Sequence, residues 1–442
     1  MIQEEIVLSS RKEYALQIVQ KLREKGYEAL FAGGCVRDMV MGKDPHDFDI
    51  ATSAKPEEVI KIFSRTIPVG VQFGVVLVLL EGHQFEVATF RSDSGYVDGR
   101  RPTEVKFTSS REDVLRRDFT VNGLLYDPMI EKMIDYVEGV KDIHHRLIRT
   151  IGDPYKRFEE DKLRLLRAVR FATNLNFEIE QETFKALKEL APLIKIVSAE
   201  RIRDELVKIF TGEHPGEGLE LLSHSGLLKV VLPEVEAMKG VEQPPEFHPE
   251  GDVYVHTKML LDFLKSADLV LAFGSLFHDV GKPPTKTVSD RIRFNNHQHV
   301  GARMTEGILK RLRFSNHEIE DIVSCVENHM RFKDVQVMRE AKLKRFMARD
   351  TFLVELELHR IDCLSSHGIL ANWDFLNKKY EDFQKEEPRP KPLLTGHDLI
   401  EMGYKPGPRF KEILTAVEDA YLEKQLFTPE EARSWVKSQF SL

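Results

Sequence analysis

Residues 31–50, FAGGCVRDMVMGKDPHDFDI, set a glycine pair at the mouth of a helix and then two aspartates one residue apart. A strand that ends on Gly33-Gly34 and runs straight into a helix brings backbone N–H groups close to an anion, and the helix dipole favours negative charge there. A glycine pair alone also makes a plain tight turn. In HDFDI, residues 46–50, strand alternation puts Asp47 and Asp49 on one face and Phe48 and Ile50 on the other. Two neighbouring carboxylates repel unless a divalent cation lies between them, and hard oxygen ligands suit Mg²⁺. The competing reading is a solvated edge strand. Glu86, in a strand expected over 84–90, is a candidate third carboxylate for the same site. These residue types describe a place to hold a triphosphate and a metal.

The elements that must position them read as a helix over 11–25 and a strand over 27–32. A helix over 36–41 follows, closed by Gly42, then a strand over 75–80 that turns back into 84–90. Further on, 153–171 reads as one helix in which Asp161, Arg164, Arg167 and Arg170 recur every third residue, on a face that drifts slowly round the axis. Leu163, Leu166, Ala168 and Val169 give it a face to bury; the plainer reading is an exposed ion-pair helix. A second group of ligand-type residues lies beyond a Pro- and Gly-bearing linker at 243–251: His256, His278-Asp279, His297, His299, His329 and Asp362. Long helical stretches separate them. Imidazole and carboxylate together suit Zn, Mn, Fe or Ni, whereas a lone histidine is usually a packed or surface residue. A Pro-rich linker at 385–396 precedes a tight turn at Gly403 to Pro408 and a helix over 409–422.

With 442 residues, 42% of them apolar, the chain has room for about three domains of roughly 150 residues. No run of about 18 uncharged apolar residues suggests a membrane span, and the polar start MIQEEIVLSSRKEY does not look like a signal peptide. Cys35, Cys325 and Cys363 form no C-x-x-C pair, which suits a reducing cytosol. The net charge of −8 argues against a nucleic-acid partner until its distribution is considered. Lys141, Arg146, Arg149, Lys156, Arg157, Lys162, Arg164, Arg167 and Arg170 form a basic run, so one basic face fits an acidic whole.

GGCVRD followed by DFD resembles the nucleotidyltransferase motif of the class II tRNA nucleotidyltransferases and bacterial poly(A) polymerases. The resemblance continues through ATFR (88–91), RRDFTVNGLLYD (116–127), RFEEDKLRLLRAVRFA (157–172) and SAERIRDELVKIF (198–210), over about the first 210 residues. It implies an α+β fold, with a small mixed-sheet head flanked by helices and then helical domains. It also implies two Mg²⁺ ions on Asp47 and Asp49, beside which Glu86 is the candidate third catalytic carboxylate read from its strand. A primer 3′-hydroxyl would attack the α-phosphate and pyrophosphate would leave. Gly33, Gly34 and Arg37 would hold the triphosphate, Arg116 and Arg117 would neutralise phosphates, and Asn122 would contact the sugar. An isolated Arg-Arg-Asp also reads as a surface salt-bridge cluster, and Asp38 as a residue that orients Arg37 and caps its helix.

The same resemblance makes Asp161 and Arg164 a base-reading template, with Arg167 and Arg170 serving the triphosphate or the helix. Cytosine and adenine each present an amino donor beside a ring-nitrogen acceptor, and uracil and guanine the reverse. An ionised Asp only accepts and an Arg only donates, so the pair matches C and A. His256, His278, Asp279 and Asp362 resemble the ligand set of an HD phosphohydrolase domain. His297 and His329 match histidines of its binuclear versions, and Lys282 follows the HD pair as in that family. A divalent transition metal is implied there, with either phosphohydrolase activity or a retained helical scaffold. LLTGHDLIEMGYKPGPRFKEIL resembles the family's tail, a tRNA clamp or a simple packing unit.

The expected organisation is a catalytic head over 1–140, a template-bearing neck over 141–212, an HD-type body over 213–372 and a tRNA-binding tail over 373–442. The expected function is cytoplasmic addition of CMP, CMP and AMP to tRNA from CTP and ATP, with no membrane or protein partner. Residues 91–105 resemble the loop associated with switching from C to A, which favours the full activity over CC-only addition. Rivals are poly(A) polymerase, a CC-only or A-only enzyme, and a nucleotide-sensing HD hydrolase whose head only binds nucleotide.

Overall fold

The computed structural model describes residues 2–96, 102–246, 248–385, 392–423 and 425–440. Two compact units divide the chain, one ending at Glu236 and the other beginning at Ala237.

The first unit is built on a seven-stranded mixed sheet. Its strands are β1 (Ala29–Ala32), β2 (Asp49–Thr52), β3 (Thr66–Gly70), β4 (Val75–Leu80), β5 (His83–Thr89), β8 (Leu124–Asp127) and β9 (Lys132–Asp135), in the order β3-β4-β5-β2-β1-β8-β9. A separate hairpin pairs β6 (Arg91–Tyr96) with β7 (Pro102–Phe107). Part of the 91–105 segment singled out in the sequence, 97–101, lies outside the described residues. Every residue of β1 is buried, whereas the outer strands β3 and β9 are largely open to solvent. That contrast explains why ALFA carries no alternation: a central strand covered on both faces reads as a continuous apolar run. Ala15, Ile18, Val19 and Leu22 of the first helix, Ile2–Glu24, are fully buried.

Register decides what meets at the end of the sheet. The antiparallel β1–β2 pair aligns Ala32 with Asp49, so Gly33-Gly34 begins beside the acidic strand. The parallel β2–β5 pair aligns Ile50 with Val87, which makes Asp49 and Glu86 neighbours. Ala32 faces Leu125 on β8, and the Gly33 amide donates to the Leu124 carbonyl. Asp47, expected within the strand, precedes it, because pairing starts only at Asp49. The alternation itself is present: Phe48 and Ile50 are buried, while Asp47 and Asp49 are exposed.

The helix expected over 153–171 is two helices, Pro154–Glu160 and Arg164–Leu175. Asp161 breaks it: its backbone is extended (φ −139°, ψ 105°), and its side chain accepts from the Leu163 amide, the local bond by which Asp competes with a helix. Helices Pro215–His224, Leu227–Val231 and Pro233–Glu236 belong to this unit, so it runs past residue 212. A Cβ added to Gly218 would come within 2.5 Å of Ile209 Cγ2, so that packing needs a glycine.

In the second unit, helices Val253–Asp262, Leu269–Phe277, His297–Arg311, Asn316–Asn328 and Phe352–Ser365 surround one polar cluster. Asp252, Asp268 and Ser315 cap three of them through side-chain oxygens. Helix Ala371–Lys385 packs Leu376, Trp373 and Tyr380 against Phe332, Phe346 and Phe352. It therefore shares the body's core rather than opening the tail at 373. The tail's own core begins with Leu394 and closes on Ile413, Val417 and Val436. Of the linker expected over 385–396, residues 386–391 lie outside the described residues.

One close approach fixes the second cluster. A Cβ on Gly281 would lie 2.1 Å from the His297 carbonyl oxygen and 2.5 Å from the Gly301 nitrogen. Gly281→Ala is expected to force these backbones apart at a cost of about 1–3 kcal/mol, the usual range for overpacking, read as a lower thermal midpoint.

Candidate active site and metal centre

The first unit contains a cleft of about 460 Å³. Gly33, Gly34, Arg37, Asp49, Glu86, Arg116, Arg117, Asn122, Asp161, Arg164 and Arg167 all line it. Gly33 enters with φ +72°, a conformation that costs glycine nothing. Asp49 and Glu86 form the acidic end. Asp49 keeps accessible surface, yet enough protein surrounds its carboxylate that burial, then Glu86 and Asp47, push it up to about 6 against the pull of Arg117. Two carboxylates side by side, Asp49 and Glu86, fit a divalent cation between them. Asp47 does not line the cleft; Arg11 of the first helix donates to its Oδ1 at 2.9 Å and also to the His46 carbonyl.

The arginines are each held by an acid or a carbonyl. Arg37 donates to Asp38 at 2.7 and 2.9 Å and to Asn122 Oδ1 at 2.9 Å. Asp38 thus orients Arg37, but the helix Gly34–Val40 is capped by Gly33, with no side-chain cap. Arg116 and Arg117 share the buried Asp113, at 2.6 and 3.0 Å. The salt-bridge cluster and the cleft-lining arginines are therefore the same residues. Asn122 also donates to Asp118 Oδ1 at 3.2 Å, so its amide is spanned between Arg37 and Asp118. Burial opposes the ionisation of Asp118, but Arg167, donating to Oδ2 at 2.5 and 2.8 Å, outweighs it and holds the carboxyl at about 2.

Asp161 and Arg164 line the same cleft. Asp161 Oδ2 pairs with Arg201 at 2.9 Å. Arg164 pairs with Glu160 at 2.7 Å and donates to the Arg116 carbonyl at 3.1 Å. Arg170 does not line the cleft: it pairs with Glu205 at 2.6 Å and lies 4.0 Å over the Phe171 ring. Of its two expected roles, triphosphate or helix, these contacts match support of the helix. Asp113, Asp118, Arg91 and Phe171 were missed as site residues. Asp113 was findable, since it stands three and four residues before two arginines on a helical turn.

In the second unit, His256, His278 and Asp362 converge, as do Asp279, His297 and His329, each set with ligand atoms within 4.8 Å. His299 pairs with exposed Glu327 and lies apart from both sets. His278, His297 and His329 present Nδ1 to the carbonyls of Ser275, Phe294 and Val326, at 2.8, 2.9 and 2.6 Å. A carbonyl only accepts, so each Nδ1 carries the proton and each Nε2 offers a lone pair. The His297 and His329 Nε2 atoms are only 3.1 Å apart, and His278 Nε2 is buried without a hydrogen bond. Lone pairs packed together beside Asp279 fit a cation. Burial, then His297, drops His329 to about 3. Lys282 pairs with the buried Asp279 at 2.6 Å and answers its charge. His248 and Glu250 join His256 in a third set that the sequence reading passed over as linker.

Asp49 carries a pH signature. Its folded value lies above the ordinary 3.8, so its contribution to stability is full below about 4 and is lost as pH rises through 6. In EDTA, Asp49→Asn is expected to be more stable than the parent protein at pH 7, with the gap closing towards pH 4, measured by urea unfolding.

Comparison with known proteins places this geometry. Residues 29–149 match the poly(A) polymerase head domain, 176–239 the RNA and SrmB-binding site of polymerase A, and 296–434 domain 2 of tRNA nucleotidyltransferases. The CCA-adding enzyme of Levilactobacillus brevis is 47% identical over 218 residues, 49% of this chain and 54% of that protein. That of Enterococcus faecalis is 48% identical over 206 residues, 46% of this chain and 50% of that protein. The matched region thus spans about half the length of these curated relatives. The crystal structure of the Bacillus stearothermophilus CCA-adding enzyme in complex with CTP aligns over 96% of both chains, with a TM-score of 0.76 and 27% identity. A Thermotoga maritima CCA-adding enzyme complexed with tRNA shares the fold at a TM-score of 0.57 and 17% identity, covering 99% of this chain and 98% of that one. The chain thus carries a poly(A) polymerase head domain and a tRNA nucleotidyltransferase domain, and it is similar to CCA-adding enzymes over about half its sequence and nearly all of its fold.

Proposed function

We propose that the chain is a cytoplasmic CCA-adding tRNA nucleotidyltransferase, transferring CMP, CMP and AMP from CTP and ATP to the tRNA 3′ end. The observation that carries this reading is that Asp49, Glu86, Asp161 and Arg164 all line one cleft. Asp47 and Asp49 would hold Mg²⁺, which when bound lowers the pKa of an attacking hydroxyl and neutralises the leaving pyrophosphate. The chain's own part is to place the nucleotide. Gly33 and Gly34 would bring the backbone close to phosphate oxygens, and Arg37, Arg116 and Arg117, oriented by Asp38, Asn122 and Asp113, would answer their charge. Arg167 is fixed by Asp118. Asp161 would accept from the amino group of C or A, and Arg164 would donate to the ring nitrogen. A uracil or guanine would face like against like, and unpaired buried polar groups discriminate strongly. At present Asp161 pairs with Arg201 and Arg164 with Glu160, which hold the two side chains in place.

tRNAs lacking the terminal CCA, CA or A, incubated with CTP and ATP, should all be completed and then stop. Runs of A on unstructured RNA would select poly(A) polymerase, and stalling after CC would select a partial enzyme. Asp161→Ala should raise UTP and GTP incorporation relative to CTP and ATP; a lower rate with unchanged selection would defeat the template reading.

We infer in addition that the second unit holds a divalent transition metal on His256, His278, Asp279 and Asp362, with His297 and His329, as in an HD phosphohydrolase. The locked Nδ1 protons and the facing Nε2 atoms support this. Purified protein should contain the metal and hydrolyse a 2′,3′-cyclic phosphate, and Asp279→Ala should lose both; a parent protein that takes up no metal would end this reading.

A further inference from the structure

Four histidines surround the second-unit cluster, and one of them is anchored differently. His278, His297 and His329 each use the carbonyl three residues back. His256 has no such partner. It lies in the first turns of helix Val253–Asp262, and the Val253 carbonyl, three residues back, accepts from Thr257 Oγ1 at 2.9 Å. Its Nδ1 faces a carboxylate instead, 2.8 Å from Glu250 Oε1, while its Nε2 lies 3.0 Å from Asp362 Oδ1. The Nδ1 contact is close but lies off the axis of a good hydrogen bond.

Glu250 is itself installed with care. Its side chain is 4% exposed, and Oε2 is buried without a hydrogen bond. His248 Nδ1 reaches the same Oε1 at 2.9 Å, and the His248 ring stands edge-on to His256 with 4.9 Å between centroids. The other end of the segment reaches the cluster too: Lys282 donates to Gln243 Oε1 and pairs with Asp279 at 2.6 Å. A buried carboxylate is costly unless something answers its charge. Here the answering groups are two imidazoles, one of which is a ligand candidate.

We propose that Glu250 is a positioning residue of the metal centre, the carboxylate that holds the proton of His256 on Nδ1 and aims its Nε2 lone pair at the metal, with His248 and Gln243 keeping the 243–250 segment in place. The proposal rests on the reading that this cluster binds a divalent transition metal. A carboxylate behind a ligand imidazole fixes the ring and raises its basicity, and removing such a partner typically weakens metal binding about 10–100-fold.

The test titrates Co²⁺ into metal-free, full-length protein and follows visible absorption, which reports affinity and coordination geometry together. Glu250→Ala should bind about 10–100-fold more weakly, with an altered spectrum. Glu250→Gln, whose amide oxygen still accepts from Nδ1–H, should recover most of the affinity and the parent spectrum, which a merely structural role would not require. Circular dichroism checks that both variants fold, and Gln answers the question if Ala does not. If the parent protein takes up Co²⁺, Asp279→Ala loses it, and both Glu250 variants bind within about twofold of the parent with an unchanged spectrum, the role of Glu250 is overturned and the metal centre stands. If the parent itself takes up none, the metal reading and this proposal fall together.

Discussion

Asp49 and Glu86 stand side by side because two short strands run parallel at the middle of a sheet. Reverse that pairing, or slip it by one residue, and one carboxylate turns into the core. The same pairing places the glycine pair next to the acids, since β1 ends opposite the residue where β2 begins. The rest of the cleft depends on this alignment: the arginines are built around it, each held by an acid. Buried Asp113 and Asp118 do most of that holding. Their burial makes the clamps stiff, because a guanidinium that lets go leaves an ion without water. The cleft is thus a set of cations already oriented.

Much of this first site was legible from residue order. The glycine pair, the alternation around Asp47 and Asp49 and the arginine spacing all rest on local rules, and short-range geometry obeys them. What local rules do not reveal is long-range partners. Nothing near Arg170 in sequence announces Glu205, which turns it away from the cleft. Nothing near Asp47 announces Arg11. The expected continuous helix failed for a local reason that helical periodicity conceals: Asp161 fits a threefold repeat and also bonds its own backbone, and the second tendency prevailed.

The second unit teaches a related lesson. Histidines at helix ends could be picked from the sequence, but not their protonation, which depends on carbonyls three residues back in turns that exist only once folded. Residues 243–251 read as linker because proline and glycine dominate there. Folded, that stretch brings two polar ends to the cluster, and its apparent irregularity is what lets Gln243 and Glu250 both turn inward.

The contact between Arg11 and Asp47 has a consequence of another kind. Residues 41–48 form a connection with no strand or helix of its own, and its last acidic residue is tied to the helix that opens the chain. A tether at that point shortens the free loop and removes conformations that would carry Asp47 away from Asp49. Because the pair is exposed, dissolved salt loosens it. The first helix therefore acts as an ionic-strength-dependent hand on one of the carboxylates, and how well organised the acidic corner is before a cation arrives varies with the electrolyte around it.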